Sequence, residues 1–65
     1  MKVVKVSVIL KALINDGWEL THQKGSHRQF KHPTKKGKVT VNGKPSDDVY
    51  GDLIKSIESQ SGLVF

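Results

Sequence analysis

The stretch Gly17-Trp18-Glu19-Leu20-Thr21-His22-Gln23-Lys24-Gly25-Ser26-His27-Arg28-Gln29-Phe30-Lys31-His32-Pro33 decides how the rest of the chain must be arranged. Trp18 to Gln23 alternates in hydropathy from one residue to the next, the pattern of a half-buried strand. Lys24-Gly25-Ser26 reads as a turn, His27 to His32 as a second strand, and Pro33 as its end. Leu20 and Phe30 are the clearest inward positions, and residues directly opposed across an antiparallel pair share a face. Pairing them centres the hairpin on Gly25. Trp18 then opposes His32 and His22 opposes Arg28 on the covered side. Gln23 opposes His27, Thr21 opposes Gln29 and Glu19 opposes Lys31 on the other. A slip of one residue would put Leu20 and Phe30 on opposite faces. The expectation is therefore that His27 stands exposed near the turn, with His22 and His32 facing inward.

Working outward, Val6, Ile9, Leu10 and Leu13 recur at helical spacing, Ser7 is a candidate cap, and Asn15-Asp16-Gly17 is a stop signal. This predicts a helix over Val6 to Asn15. Beyond Pro33, Thr34-Lys35-Lys36-Gly37 turns the chain into a third strand, Lys38-Val39-Thr40-Val41. Asn42-Gly43-Lys44-Pro45 reads as a loop, and Pro45 argues against a further strand directly after it. A second helix is expected from Ser46 or Asp47 to Gly62, a C′ glycine, burying Val49, Leu53 and Ile57 with Ile54 alongside. The predicted fold is α+β, in the order α-β-β-β-α. Its three-stranded antiparallel sheet carries two helices on one face and leaves the other in water.

A chain of 65 residues is one domain, residues 1–65, and buries only about 60 % of the surface it exposes when unfolded. No cysteine is present, which excludes disulfides and thiolate metal sites. The Val/Ile-rich segment near the N-terminus is broken by Lys5 and Lys11, too short for a signal sequence or a membrane span. A cytoplasmic location without membrane association is expected by default. The net charge of +5 is unevenly placed, because no acidic residue lies between Glu19 and Asp47. That interval holds Lys24, Arg28, Lys31, Lys35, Lys36, Lys38, Lys44 and all three histidines. Such a one-signed segment concentrates a polyanion, and nucleic acid is the partner it suggests.

His27 follows a Gly-Ser turn that lets a phosphate approach the backbone, beside Lys24, Arg28 and Lys31. RNA brings its own nucleophile, the ribose 2′-hydroxyl. A protein that cuts it must supply proton transfer and neutralise the developing phosphorane. Imidazole, with a reference pKa of about 6.5, exchanges protons at neutral pH. Lys24, Arg28 and Lys31 are candidates for the neutralising cation, Arg28 the weakest because its parity points inward. His22 and His32 read as partly buried, hydrogen-bonded strand histidines. The regular spacing of the three histidines suggests metal ligation in number only. Parity separates His27 from the others, and no carboxylate lies nearby, so no metal is expected.

Gly17-Trp18, Gln23-Lys24-Gly25-Ser26-His27, Phe30, His32-Pro33 and Val39-Thr40-Val41 together resemble the HicA family of mRNA interferase toxins. The likeness continues through Gly51-Asp52-Leu53, Ile57 and Ser61-Gly62-Leu63, and so covers nearly the whole chain from Val6. The resemblance implies a fold like the double-stranded RNA-binding domain. It implies a metal-independent endoribonuclease without a cofactor, cutting mRNA with the histidine at His27, and a HicB-type antitoxin that covers the site. The expected RNA-binding residues are Lys24, Gly25, Ser26, Arg28, Lys31, Lys35 and Lys36. The alternatives are a non-catalytic RNA-binding module of the same fold and a protein-interaction module with a basic docking surface. Against duplex clasping stand Asp47 and Asp48, where the last helix is expected to begin.

Overall fold

The computed structural model describes residues 2–65. In chain order the elements are β1 (Val3–Lys5), α1 (Val6–Asn15), β2 (Glu19–Lys24), β3 (His27–Lys31), β4 (Lys38–Val41), β5 (Asp48–Tyr50) and α2 (Asp52–Ser61). The strands β2, β3 and β4 form one antiparallel sheet in that spatial order, and β1 pairs with β5 in a separate two-stranded ribbon. The α+β class and the three-stranded sheet are as the sequence predicts. The ribbon is an addition.

The first helix matches its predicted span and buries Val6, Ile9 and Leu13, with Leu10 partly buried beside them. Ser7 does not cap it. The first helical amides are held instead by backbone carbonyls of the segment that precedes β5: Val6 N–H donates to Asp47 at 2.9 Å and Ser7 N–H to Pro45 at 3.0 Å. These satisfy donors that every helix start leaves open. The same segment overturns the expected start of the second helix at Ser46 or Asp47. Asp48-Val49-Tyr50 is extended and pairs Val3 with Tyr50, Val4 with Val49 and Lys5 with Asp48. Gly51, at φ +61, then turns the chain into α2.

Once Val49 belongs to a strand, the helical stripe shifts. Ile54, Ile57 and Ser61 face the core, while Leu53, expected inside, is 68 % exposed. The Ser61 hydroxyl bonds back to the Ile57 carbonyl at 2.7 Å, which allows a polar residue to be buried there. Gly62 closes the helix in the left-handed conformation expected of it, at φ +74. The core joins these residues to Trp18, Phe30, Val39, Val41 and Val49. Each fully buried large apolar side chain among them stabilises the fold by roughly 1.5–3 kcal/mol relative to exposure.

Candidate functional site

The hairpin of β2 and β3 builds the site. At its open end the register is the predicted one, with Glu19 opposite Lys31 and Leu20 opposite Phe30, but Leu20, expected inside, is 47 % exposed at the edge of the sheet. Beyond that point the pairing slips by one. Thr21 is an extra residue, a β-bulge, and the next pairs are His22 with Gln29, Gln23 with Arg28 and Lys24 with His27. The expected pairs of Thr21 with Gln29, His22 with Arg28 and Gln23 with His27 are therefore corrected. The turn is the physical reason. Gly25 has φ +60, whereas among the described residues none other than glycine has a positive φ. Gly25-Ser26 thus makes a two-residue connection of the type that wants glycine first and matches strand twist. A three-residue turn centred on Gly25 is replaced by this tighter one, and the bulge absorbs the residue left over. The Thr21 hydroxyl donates to the Gln29 carbonyl at 3.2 Å across the irregularity.

Each histidine can now be placed. Phe30 is buried in the core, so its neighbours Gln29 and Lys31 face away from it, and His27 shares their parity. His27 is exposed beside the turn, on the face opposite the core. His22 opposes Gln29 and so joins His27 on that open face, which corrects its expected inward position. Lys24 stands directly opposite His27, and Lys38 opposes Lys31 from β4. The one carboxylate carried by this sheet, Glu19, lies at the far end of the hairpin from His27.

His32 has both ring nitrogens engaged and is half-buried. Its Nδ1 accepts from the backbone amides of Thr34 and Lys35, each at 3.1 Å, so Nε2 carries the proton and donates to the Asp16 carbonyl at 2.7 Å. Its ring meets Trp18 edge-on, with centroids 5.2 Å apart. This fits the structural role expected of it. Gly17 makes room for the contact, since a Cβ there would stand 3.0 Å from His32 Nε2.

The expected phosphate ligands divide into three groups. Lys24, Lys31 and Lys36 are exposed and make no ion pair among the described residues. Gly25 and Ser26 form the turn itself. Arg28 faces the covered side and donates through Nη1 to the Gly43 carbonyl at 2.8 Å and the Ser26 carbonyl at 3.3 Å. It ties the turn to the loop after β4. Lys35 pairs with Asp16 and also donates to the Ser61 carbonyl at 3.2 Å, placing a cation at the C-terminal end of α2.

Asp16 is the junction that sequence reasoning missed. Its carboxylate accepts from Lys35 Nζ and Trp18 Nε1, and its carbonyl accepts from His32. The Lys35 hydrogen bond, more than any other influence, holds the Asp16 carboxyl below its usual pKa. Glu58 is lowered likewise, first by its bond to Lys2 and then by the Phe65 amide. The position of His22 did have a signal in the sequence. Gly-Ser between two strands is a two-residue hairpin signature, and accepting it forces a surplus residue into β2 or β3.

Among the described residues no three His, Asp or Glu side chains converge as metal ligands, and no helix is long and apolar enough to cross a membrane. The family model described as "HicA toxin of bacterial toxin-antitoxin" matches residues 7–63 of the chain. No curated protein matches the sequence.

Proposed function

The chain belongs to the HicA toxin family, as a toxin of a toxin-antitoxin system, and from that premise we propose that it is a metal-independent endoribonuclease that cuts mRNA with His27. The observation that supports this reading best is the imidazole itself. It is exposed on the uncovered face of the sheet, directly opposite Lys24 and at the lip of a tight turn. His27 takes the proton of the ribose 2′-hydroxyl, and the freed oxygen attacks the adjacent phosphorus. Lys24 lies closest in register to neutralise the phosphorane, with Lys31 further along the same strand face. Gly25 and Ser26 bring backbone near the phosphate without a large side chain between. Lys36, in the turn between β3 and β4, extends the basic surface along the strand of RNA.

The first turn of α2 carries Asp52, which suits the helix dipole and opposes a duplex phosphate at that end. This favours single-stranded message as the substrate. In a toxin-antitoxin pair the natural antagonist is a HicB-type antitoxin covering the basic open face, and a mostly acidic contact surface is expected of it.

Incubating the pure protein with unstructured RNA in excess EDTA tests the assignment. Fragments from the wild type, and none from a folded His27→Ala variant, are expected. An intact RNA band that merely shifts in mobility identifies a binding module instead. Cleavage by His27→Ala at near the wild-type rate refutes the role of this imidazole.

A further inference from the structure

Transesterification of RNA needs two proton movements, one off the 2′-oxygen and one onto the departing 5′-oxygen. A single histidine accounts for the first. The bulge at Thr21 brings a second imidazole onto the same face. His22 opposes Gln29 while Lys24 opposes His27, so the two histidines are diagonal neighbours across adjacent strands. Diagonal positions lie about 7–8 Å apart at the backbone, within reach of aromatic side chains. Without the bulge, His22 would fall opposite Arg28 on the covered side.

We infer that His22 is the general acid of the site, partner to His27 as base; this rests on the ribonuclease reading above. The 2′-oxygen gives its proton to His27 and forms a bond to phosphorus. The bond from phosphorus to the 5′-oxygen breaks, and that oxygen takes a proton from the His22 imidazolium. The products are a 2′,3′-cyclic phosphate and a 5′-hydroxyl end, with His27 protonated and His22 neutral until water exchanges the protons. The entering and leaving oxygens sit on opposite sides of phosphorus. Their proton partners must stand one hydrogen bond, about 2.7–3.0 Å, beyond each. Two imidazoles set diagonally over the sheet meet that requirement, whereas one cannot face both oxygens at once.

Both histidines are exposed, and no hydrogen bond engages either ring among the described residues, in contrast to the fully engaged His32. The charged groups that share the face are Lys24 and Glu19 from β2, Lys31 from β3 and Lys38 from β4. All four are exposed.

The test compares wild type, His22→Ala, His22→Gln and His27→Ala on two substrates in excess EDTA. One is single-stranded RNA, whose leaving alkoxide must be protonated. The other is a ribonucleoside 3′-(4-nitrophenyl phosphate), whose leaving group departs without a proton. Loss of the acid is expected to lower kcat on RNA by about 10²-fold or more with little change in KM. It is expected to remove the alkaline limb of the pH–rate profile and to leave aryl ester cleavage within roughly 3-fold of wild type, well below that loss. His27→Ala is expected to lose both substrates. Equal losses on both substrates in the His22 variants, or none on RNA, overturn the inference while the ribonuclease reading stands. Wild-type protein that cuts neither substrate overturns both. Should His22→Ala fail to fold by circular dichroism, His22→Gln carries the comparison.

Discussion

Replacing Arg28 by alanine separates two roles that the sequence alone leaves superposed, phosphate contact and internal tie. The guanidinium donates to the Gly43 carbonyl at 2.8 Å in a half-buried position, and more weakly to the Ser26 carbonyl at 3.3 Å at the surface. A hydrogen bond from a charged donor contributes about 1.5–3 kcal/mol. With only one of the two short and shielded, the lower end applies, and Arg28→Ala is expected to cost about 1.5–2 kcal/mol. A chain of this length has a total stability of roughly 3–10 kcal/mol, so the loss is a large share. At about 4–8 °C per kcal/mol the melting temperature falls by roughly 6–16 °C. RNA affinity measured over a salt series, in an inactive His27→Ala background, gives the other half. Each phosphate contact to a single strand contributes about 0.7 to the slope of log K against log salt. An internal tie leaves that slope unchanged. An unaltered melting temperature together with a slope reduced by about 0.7 refutes the reasoning and returns Arg28 to the RNA surface.

Other expectations follow from the same geometry. Gly17→Ala combines a left-handed backbone at φ +98 with a Cβ pressed on His32, and is expected to lose about 2–3 kcal/mol in urea titration from strain and the displaced hydrogen bond. Gly25→Ala, with open space around the added carbon, should lose only the backbone part. Ile54→Ala is expected to cost about 2–5 kcal/mol whereas Leu53→Ala, exposed, stays within about 0.5 kcal/mol; equal losses would return Leu53 to the core. Asp16 has a folded pKa held down by Lys35. The stability it contributes is present at neutral pH, fades below about pH 4 and is gone once the pH passes its depressed value. Asp16→Asn should flatten that acid limb in a melting series, and an unchanged limb assigns acid sensitivity elsewhere. His32→Ala is expected to lower melting temperature while keeping per-molecule RNA cleavage of the folded fraction, the reverse of His27→Ala.

Strong periodicity made much of this molecule readable. Val6, Ile9 and Leu13 define one helical face without help, and Val39 and Val41 leave no doubt about the inner side of β4. The hairpin was legible only as far as its apolar markers reach. Leu20 and Phe30 set the register at one end, but the rest of β2 from Thr21 to Lys24 is polar and exposed on both sides. No burial pattern there records a bulge, and turn geometry alone decides which way His22 points. The start of α2 is illegible in the sequence for a related reason. Val49 fits a helical stripe and a strand equally well, and only its pairing with Val4, some forty-five residues distant in sequence, resolves the choice. Non-local pairing of so short a ribbon leaves no periodic trace. Of the candidate site, His27 and its face followed from parity, whereas Arg28 and Lys35 are engaged by carbonyls and a carboxylate that come from distant segments.

The two-residue connection at Gly25-Ser26 has a regulatory corollary. A two-residue connection leaves the backbone little slack between the strands it joins. On the proposed ribonuclease reading, such a surface is ready to act as soon as the chain has folded. The same reading expects an antagonist to shield that surface bodily rather than pry it into an inactive shape, so that release of the toxin amounts to removal of the shield.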